Sequence, residues 1–485
     1  MPSDAQKPAA NPLGTRPVGR LLMQFSIPSI ISFLVSALYN IVDQIFIGQG
    51  VGLLGNAATN VAFPLTTIST ALALLIGIGT AANFNLNLGA GRQDRAREIA
   101  GSGIVFLVSF GVLLGVVVLL FLRPLLIAFG ATEDVFPYAR TYTGITAFGL
   151  PLLIFSTGAS HLIRADGSPT YSMTCTLSGA ILNTILDPLF IFGFDMGIAG
   201  GALATVLGQI LSAVLAARYL LRYRLKSVGL TRQSMRPQAW ILRTIVSLGM
   251  APCFNQLAMT VVQITMNNTL TYYGALSPYG KEIPLACVGV ISKVNILMMG
   301  FTIGIAQGCQ PIFSFNYGAR NYHRVRATFR RAVILGLIIC TAFFACFQLF
   351  PRQIVSIFGE GSELYYQFAE EYFRIYMFMA FANGLHPLIS NFFTAIGRAK
   401  MGILISLTRQ IIFLIPLILI FPAVWGIDGV MYAGPIADGA ALLLAIFLSW
   451  REMRRVSQAE RLEIPPDAKD PAGSISVSAV YGLSR

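Results

Sequence analysis

Residues 21–48 read LLMQFSIPSIISFLVSALYNIVDQIFIG, an apolar stretch long enough to cross a bilayer as one helix. One residue departs from this pattern, because Asp43 places a carboxylate among isoleucine, valine and phenylalanine side chains. Ionisable groups inside a span cost about 3 kcal/mol on insertion scales, so they usually face a protein interior, a water-filled cavity or a partner. Asn40 and Gln44 lie near Asp43 at helical spacing. The three side chains form a polar stripe, in which Asn40 and Gln44 are predicted to support the carboxylate.

The composition identifies the whole chain as a membrane protein. Its 485 residues are 55% hydrophobic and 11% charged, whereas soluble domains carry roughly 25% charged residues. We therefore expect an all-α, polytopic protein with twelve transmembrane helices, and the apolar segments that predict them are 21–48, 56–88, 96–121, 136–158, 170–193, 197–221, 240–273, 284–315, 325–350, 365–389, 401–422 and 429–450.

The net charge of +13 is explained by membrane topology, and no nucleic-acid partner is expected. Lys and Arg lie in short segments between the spans and are not interleaved with aromatic residues. If the N-terminus is inside, the inner loops hold most of the basic residues and the outer loops are rich in acids. The positive-inside rule then predicts a multi-pass protein of the plasma membrane or bacterial inner membrane with both termini in the cytoplasm. The lipid bilayer is its expected environment, and no signal peptide is expected.

An internal repeat at an offset of 229 residues divides the chain into two halves. LGAGRQDRARE at 88–98 matches YGARNYHRVRA at 317–327, and RPLLIAFG at 123–130 matches RQIVSIFG at 352–359. Because six spans are an even number, both halves enter the membrane in the same direction, which predicts two parallel, pseudo-symmetric six-helix bundles with substrate bound between them. The expected organisation is a cytoplasmic segment 1–20, a lobe 21–222, a basic cytoplasmic linker 223–239, a lobe 240–450 and a disordered cytoplasmic tail 451–485.

Four polar residues of the first half are predicted to share one layer of the membrane: Asp43, Asn183, Asp187 and Thr205. At ~1.5 Å per residue, Asp43, Asp187 and Thr205 lie roughly 8 to 12 Å below the outer helix ends, and Asn183 lies one turn deeper. Their oxygen atoms and negative charge suit a proton relay or a small hard cation. We predict a coupling site for H⁺ or Na⁺ here, with no other metal or cofactor. The alternative is that Asp43 and Asp187 only join helices through hydrogen bonds.

The second half does not repeat this set. Under the repeat offsets the four positions map near Asn267, Ile412, Pro416 and Gly434. The coupling site is therefore expected in the first half only.

Three other charges lie inside the spans of the second half. Arg409 and Asp438 would neutralise each other if they meet, and we favour a structural role for this pair. Lys293 either projects into the cleft between the halves, where it would tune the charge of the substrate, or has an ordinary pairing role. Further candidates for the cleft, for each of which ordinary helix packing is the favoured interpretation, are Tyr39, Tyr142, Met259, Gln263, Met266 and Met298.

An enzyme is not expected. The six cysteines and three histidines are scattered singly, without the spacing of a disulfide framework or a metal site. The chain has no GxxxxGK[ST] motif for ATP and no evident arrangement of nucleophile and base.

Three motifs resemble the multidrug and toxic compound extrusion (MATE) family: IPSIISFLVSALYNIVDQIFIG at 27–48, NTILDPLFIFG at 183–193 and PIFSFNYGAR at 311–320. The DinF-type prokaryotic branch is the more similar one, because the acids lie in the first half and the second half lacks those of the NorM-type branch. The resemblance implies a monomeric antiporter that exports small amphipathic, often cationic, organic compounds in exchange for H⁺ or Na⁺ by alternating access. It also implies that Asp43, Asn183, Asp187 and Thr205 form the family's cation site in the N-terminal lobe.

Other transport functions remain as alternatives. A flippase for lipids or lipid-linked oligosaccharides would need basic cleft residues for a pyrophosphate, and only Lys293 and Arg409 are candidates. A channel would need a continuous polar pore, whereas the polar layer is confined to one half. A general facilitator fold with two six-helix halves is disfavoured, because the loop between spans two and three lacks the acidic and basic repeat of that family.

Overall fold

The computed structural model describes residues 11–223, 225–280, 282–357 and 362–462. Within these ranges the chain forms eighteen α-helices and no strand. In chain order they are α1 (Pro12–Thr15), α2 (Val18–Gly50), α3 (Leu53–Gly89), α4 (Gln93–Leu120), α5 (Leu122–Ala128), α6 (Phe136–Ala165), α7 (Pro169–Pro188), α8 (Gly197–Tyr223), α9 (Ala239–Ala275), α10 (Glu282–Gly318), α11 (Tyr322–Leu349), α12 (Pro351–Ser356), α13 (Glu363–Tyr376), α14 (Ala380–Asn383), α15 (Leu385–Ala395), α16 (Ala399–Leu407), α17 (Ile415–Trp425) and α18 (Asp428–Leu462).

Eleven helical segments of the described chain are long and apolar enough to cross a membrane, and they coincide with eleven of the twelve predicted spans. The exception is the predicted tenth span, 365–389, which consists of the three shorter helices α13, α14 and α15. Pro387 lies in the first turn of α15, where its missing N–H group is tolerated. The tenth span is therefore present as a broken helix.

Two spans contain a π-helical segment at related positions of the repeat. Leu189–Gly193 directly follows Pro188 at the end of α7, and Thr408–Leu414 directly precedes α17, whose second residue is Pro416. A proline inside a helix removes one backbone hydrogen bond and crowds the preceding turn, so Pro416 explains the change of pitch at Thr408–Leu414, whereas Pro188 marks the residue after which the other segment begins. The two halves thus resemble each other in this distortion as well as in sequence.

The two halves, here called the N lobe (α2–α8) and the C lobe (α9–α18), meet where α2 packs on α10 and α3 packs on α9. Glycines allow this close approach. A Cβ atom on Gly304 would lie 2.6 Å from the Ile30 Cα atom, and one on Gly308 would lie 2.6 Å from the Ser26 Cα atom. These contacts lie in the half of the molecule nearer the arginine-containing turns at 90–92, 319–321 and 396–398, which we call the basic end. The lobes therefore touch backbone to backbone near the basic end.

The linker between the lobes is attached to the N lobe. The Asp166 carboxylate, which follows α6, accepts hydrogen bonds from the Tyr219 hydroxyl at 2.7 Å and from the backbone N–H groups of Lys226 at 2.8 Å and Ser227 at 3.0 Å. Burial raises the pKa of Asp166, and these hydrogen bonds act in the opposite direction. One buried carboxylate thus fixes the start of the linker.

The C-terminal tail is partly helical, which corrects the prediction of disorder from residue 451 onward. Helix α18 continues to Leu462. The nearly buried Glu452 carboxylate pairs with Arg398 at 2.8 Å, and Glu460 pairs with Arg326 at 2.6 Å. These ion pairs join the end of α18 to other parts of the C lobe. Residues 463–485 of the predicted tail lie outside the described residues, as do residues 1–10 of the predicted N-terminal segment.

Candidate functional site

Three helices of the N lobe bring the four predicted coupling residues together. Asp43 is on α2, Asn183 and Asp187 are one turn apart on α7, and Thr205 is on α8. Asp187 is 0% exposed, Asn183 2% and Asp43 9%. In the amide orientation that satisfies both partners, Asn183 donates to Asp187 Oδ2 at 3.2 Å and accepts from the Thr205 backbone N–H at 3.2 Å. The amide thus bridges α8 to the Asp187 carboxyl group.

The two carboxyl groups of the site contact each other. Asp43 on α2 and Asp187 on α7 lie close enough to interact directly. Asp43 Oδ1 is buried without a hydrogen-bond partner among the described residues. Among the described residues, no Lys or Arg side chain lies within ion-pair distance of either acid. Two like charges in contact repel each other, so the doubly ionised pair is disfavoured.

Two tyrosines border the acid pair. Tyr142 of α6 lies close to Thr205 and to both acids. Tyr39, one turn before Asp43 on α2, lies close to both acids as well. Both tyrosines were candidates for the substrate cleft, and their place beside the acids was missed. The spacing of Tyr39 and Asp43, four residues apart on one helix, was the available signal.

The two residues predicted to support Asp43 take different positions. Asn40 is exposed, and its Nδ2 donates to the Ser36 carbonyl oxygen at 2.6 Å. Gln44 is exposed and forms no side-chain hydrogen bond to another described residue.

The predicted cleft residues of the C lobe separate into two groups. Met259, Gln263 and Lys293 are exposed on α9 and α10, and the Gln263 amide donates to Asn267 Oδ1 at 2.9 Å. Met266 and Met298 are instead buried in the apolar core of the C lobe. Their side chains face the interior of the lobe, which agrees with the interpretation of these two methionines as helix packing.

The charged pair predicted in the C lobe is present. Arg409 Nε donates to Asp438 Oδ1 at 2.5 Å, and both side chains are buried. The His386 ring lies nearby and its Nε2 contacts the Ile405 carbonyl oxygen at 2.7 Å. Because the two opposite charges cancel, the pair adds no net charge to the C lobe, whereas the N-lobe acids have no basic partner. The two lobes therefore differ in their buried electrostatics.

Comparison with known proteins relates most of the chain to drug exporters. A profile of the MatE family matches residues 28–189 and 251–420. The chain is 25% identical over 455 residues to multidrug export protein MepA of Staphylococcus aureus (strain MSSA476), covering 92% of this chain and 97% of the relative. It is 23% identical over 453 residues to MepA of Staphylococcus haemolyticus (strain JCSC1435), covering 92% and 96%.

Solved structures share the same architecture. A multidrug resistance MATE family transporter of the MOP superfamily in its outward-facing conformation superimposes with a TM-score of 0.84 at 22% identity, covering 91% of this chain and 97% of that chain. A MATE crystal structure in the bent conformation gives a TM-score of 0.84 at 22% identity, covering 92% and 97%. This likeness establishes the two-lobe, twelve-span fold.

Proposed function

The chain belongs to the MatE family of transporters, whose profile covers both halves, and from this premise we propose that it exports amphipathic organic compounds in exchange for H⁺ or Na⁺. The export of drugs is supported by the MepA relatives, which are named multidrug export proteins and align over nearly their full length. The exchange of cargo for a cation is our own inference from the N-lobe site.

One observation carries the exchange mechanism: the buried contact between Asp43 and Asp187 without a basic partner. A carboxylate pair of this kind binds one proton or one small cation much more readily than it exists with two negative charges. The Thr205 hydroxyl, which donates to the Gly201 carbonyl oxygen, keeps lone pairs that suit Na⁺, and the Asn183 amide donates a hydrogen bond that stabilises the ionised Asp187. The occupancy of the site thus changes its charge by one unit.

The same site offers a way to couple ion and cargo. We place the basic end in the cytoplasm of a bacterial inner membrane or plasma membrane, with both termini on that side. The lobes are closed there in this conformation, so cargo and ions would enter and leave the cleft from the other side. Binding of H⁺ or Na⁺ at Asp43 and Asp187 would draw α2 toward α7 and expel the cargo. The return to a conformation open at the basic end would release the ion into the cytoplasm.

The test is dye efflux driven by one gradient at a time. Inverted vesicles or cells are loaded with a fluorescent amphipathic dye, and a pH gradient or a Na⁺ gradient is imposed separately. Asp187→Asn should reduce gradient-driven efflux by at least about tenfold while the purified variant stays folded, since an amide cannot take up or release a proton and binds a cation more weakly than a carboxylate does. Asp134→Asn, an exposed acid before α6, is the matched control and should transport normally.

Two outcomes of this test oppose the proposal. Normal efflux by Asp187→Asn would show that the acid pair does not couple transport, and efflux without any gradient would exclude exchange.

A flippase for lipid-linked substrates is not favoured, because Arg409 is already neutralised by Asp438 and leaves Lys293 alone to bind a pyrophosphate.

A further inference from the structure

Lys293 lies on the side of α10 that faces the N lobe. On that side a Cβ atom on Gly300 would lie 2.7 Å from Leu34 Cδ2, and one on Gly304 would lie 2.6 Å from the Ile30 Cα atom. With 3.6 residues per turn, Lys293 lies about 20° from Gly304 around the helix, between the directions of Gly300 and Gly304. Its side chain therefore leaves α10 toward the N lobe.

At the level of Lys293 the two lobes are no longer in contact. Lys293 lies seven residues, or about 10 Å along the helix, beyond Gly300 in the direction away from the basic end. On α2 the residues that continue the contact stripe are Leu38 and Ile45, and each is 49% exposed. Lys293 is exposed too. The Lys293 ammonium group thus projects into the cleft between α2 and α10.

The second wall of the C lobe is polar and uncharged. The side of α9 that meets α3 is marked by Gly249, whose Cβ would collide with the Leu75 backbone. Beyond Gly249, away from the basic end, four amide or hydroxyl side chains of α9 lie within about 40° of the direction of Gly249 around the helix axis. They are Gln256, Thr260, Gln263 and Asn267. These groups donate and accept hydrogen bonds without adding charge to the cleft.

The acids of the spans do not compensate Lys293. Asp43 is nine residues from Leu34 and so lies about 180° from the cleft-facing side of α2, where it contacts Asp187. Asp438 is paired with Arg409. Within the described residues, Lys293 has no ion-pair partner within 4.0 Å. An ammonium group at this depth is stabilised by water or by a negative charge, so the cleft is suited to an anion.

We propose that Lys293 binds an anionic group of the cargo, and that the exported compounds are amphipathic organic carboxylates or zwitterions. The inference rests on the proposed export function and specifies its substrate class. Leu38 and Ile45 offer an apolar wall for the body of such a compound, and the amides of α9 offer hydrogen bonds to its neutral polar groups. A compound with only positive charge would be repelled by Lys293, and the span acids Asp43 and Asp438 of the described chain face away from the cleft or are already paired.

A matched pair of dyes tests the charge preference. A rhodamine with a free carboxylate is a zwitterion at neutral pH, and its methyl ester is a monocation with the same ring system. Binding of both dyes to the purified full-length protein in detergent is measured by fluorescence anisotropy. The carboxylate should bind about tenfold more tightly than the ester, as expected for one charge-assisted hydrogen bond.

Three variants locate the effect. Lys293→Met should bind the two dyes equally, and Lys293→Arg should keep the preference for the carboxylate. Lys400→Met removes an exposed lysine at the start of α16, near the basic end and outside the cleft, and should keep the preference as well. Equal or tighter binding of the ester to the unaltered protein would overturn the proposal, and so would an unchanged preference in Lys293→Met or no binding of either dye.

Transport of the same dyes by proteoliposomes separates this inference from the proposed function. If the carboxylate is preferred in binding but no gradient drives its transport, the export mechanism fails and the anion site stands. If both dyes are exported under a gradient but Lys293→Met does not alter their ratio, export stands and the anion site fails.

Discussion

Replacing Gly249 by alanine is expected to separate the two lobes at the basic end. The new Cβ atom would lie 1.7 Å from the Leu75 carbonyl oxygen and 2.5 Å from its carbonyl carbon. Both atoms belong to the backbone of α3, so no side-chain rotation relieves the collision. Cβ atoms essentially never approach another heavy atom closer than 3.0 Å. Helices α3 and α9 must therefore move apart by at least 1.3 Å, which is the difference between 3.0 and 1.7 Å.

The free-energy cost of this collision applies only while the basic end is closed. Overpacking of a well-packed interface costs about 1 to 3 kcal/mol. Since about 1.4 kcal/mol corresponds to a factor of ten, the closed conformation should lose population by about 5-fold to 150-fold relative to conformations in which α3 and α9 are apart. The variant should therefore favour opening toward the basic end.

Cys253 provides a built-in probe of this opening. It is buried on α9 one turn from Gly249. Alkylation of Cys253 by a maleimide, followed by mass spectrometry, should be at least about five times faster in Gly249→Ala, in proportion to the population shift. Gly336→Ala on α11 is the matched control, because a Cβ atom there meets nothing within 4 Å. Equal Cys253 alkylation and equal thermal stability in the two variants would refute the reasoning.

Three further predictions concern structural interactions. Arg409→Leu should lower stability by about 3 to 5 kcal/mol because it leaves a buried carboxylate unpaired, and adding Asp438→Leu should restore most of the loss, as measured by thermal unfolding in detergent. Asp166→Ala should release the linker from the N lobe and speed its cleavage in limited proteolysis, without changing the unfolding of the spans. Glu452→Gln should increase hydrogen exchange in 451–462 only, because that segment depends on its ion pairs.

The sequence predicts most of the spans because hydropathy depends only on neighbouring residues. The features that it does not predict depend on contacts between distant residues or on breaks within an apolar segment. Apart from Glu370, Glu371 and Arg374, residues 365–389 are mostly apolar or aromatic, and the turns at 377–379 that divide the segment contain only apolar residues, so hydropathy does not reveal the breaks. The polar composition of 451–462 favours disorder, but this segment is helical in the structure, where Arg398 and Arg326, distant in sequence, pair with its glutamates. Contacts of this kind require the fold to be known.

For the candidate site, the depth of each residue along its helix was predictable from the sequence. The direction in which its side chain leaves the helix axis was less predictable. A fixed rise per residue places Asp43 and Asp187 at one depth, and the structure brings them into contact. Met298 was a candidate for the cleft by residue type alone. Measured from Gly304, which marks the side of α10 that meets the N lobe, Met298 lies about 120° away and faces the core. The glycine positions in the sequence already contained this reference direction.

Helix α2 connects the acid site to the interface between the lobes. One side of α2 carries Asp43 against Asp187, and the opposite side carries Ile30 against Gly304. Pro28 lies in α2 before both of these residues and removes one backbone hydrogen bond of the helix. Bending of α2 at Pro28 is therefore easier. Under the proposed exchange, a proton or Na⁺ that changes the distance between α2 and α7 also changes the packing of α2 on α10. The neutral Arg409–Asp438 pair undergoes no such change of charge, so the driving step must arise in the N lobe.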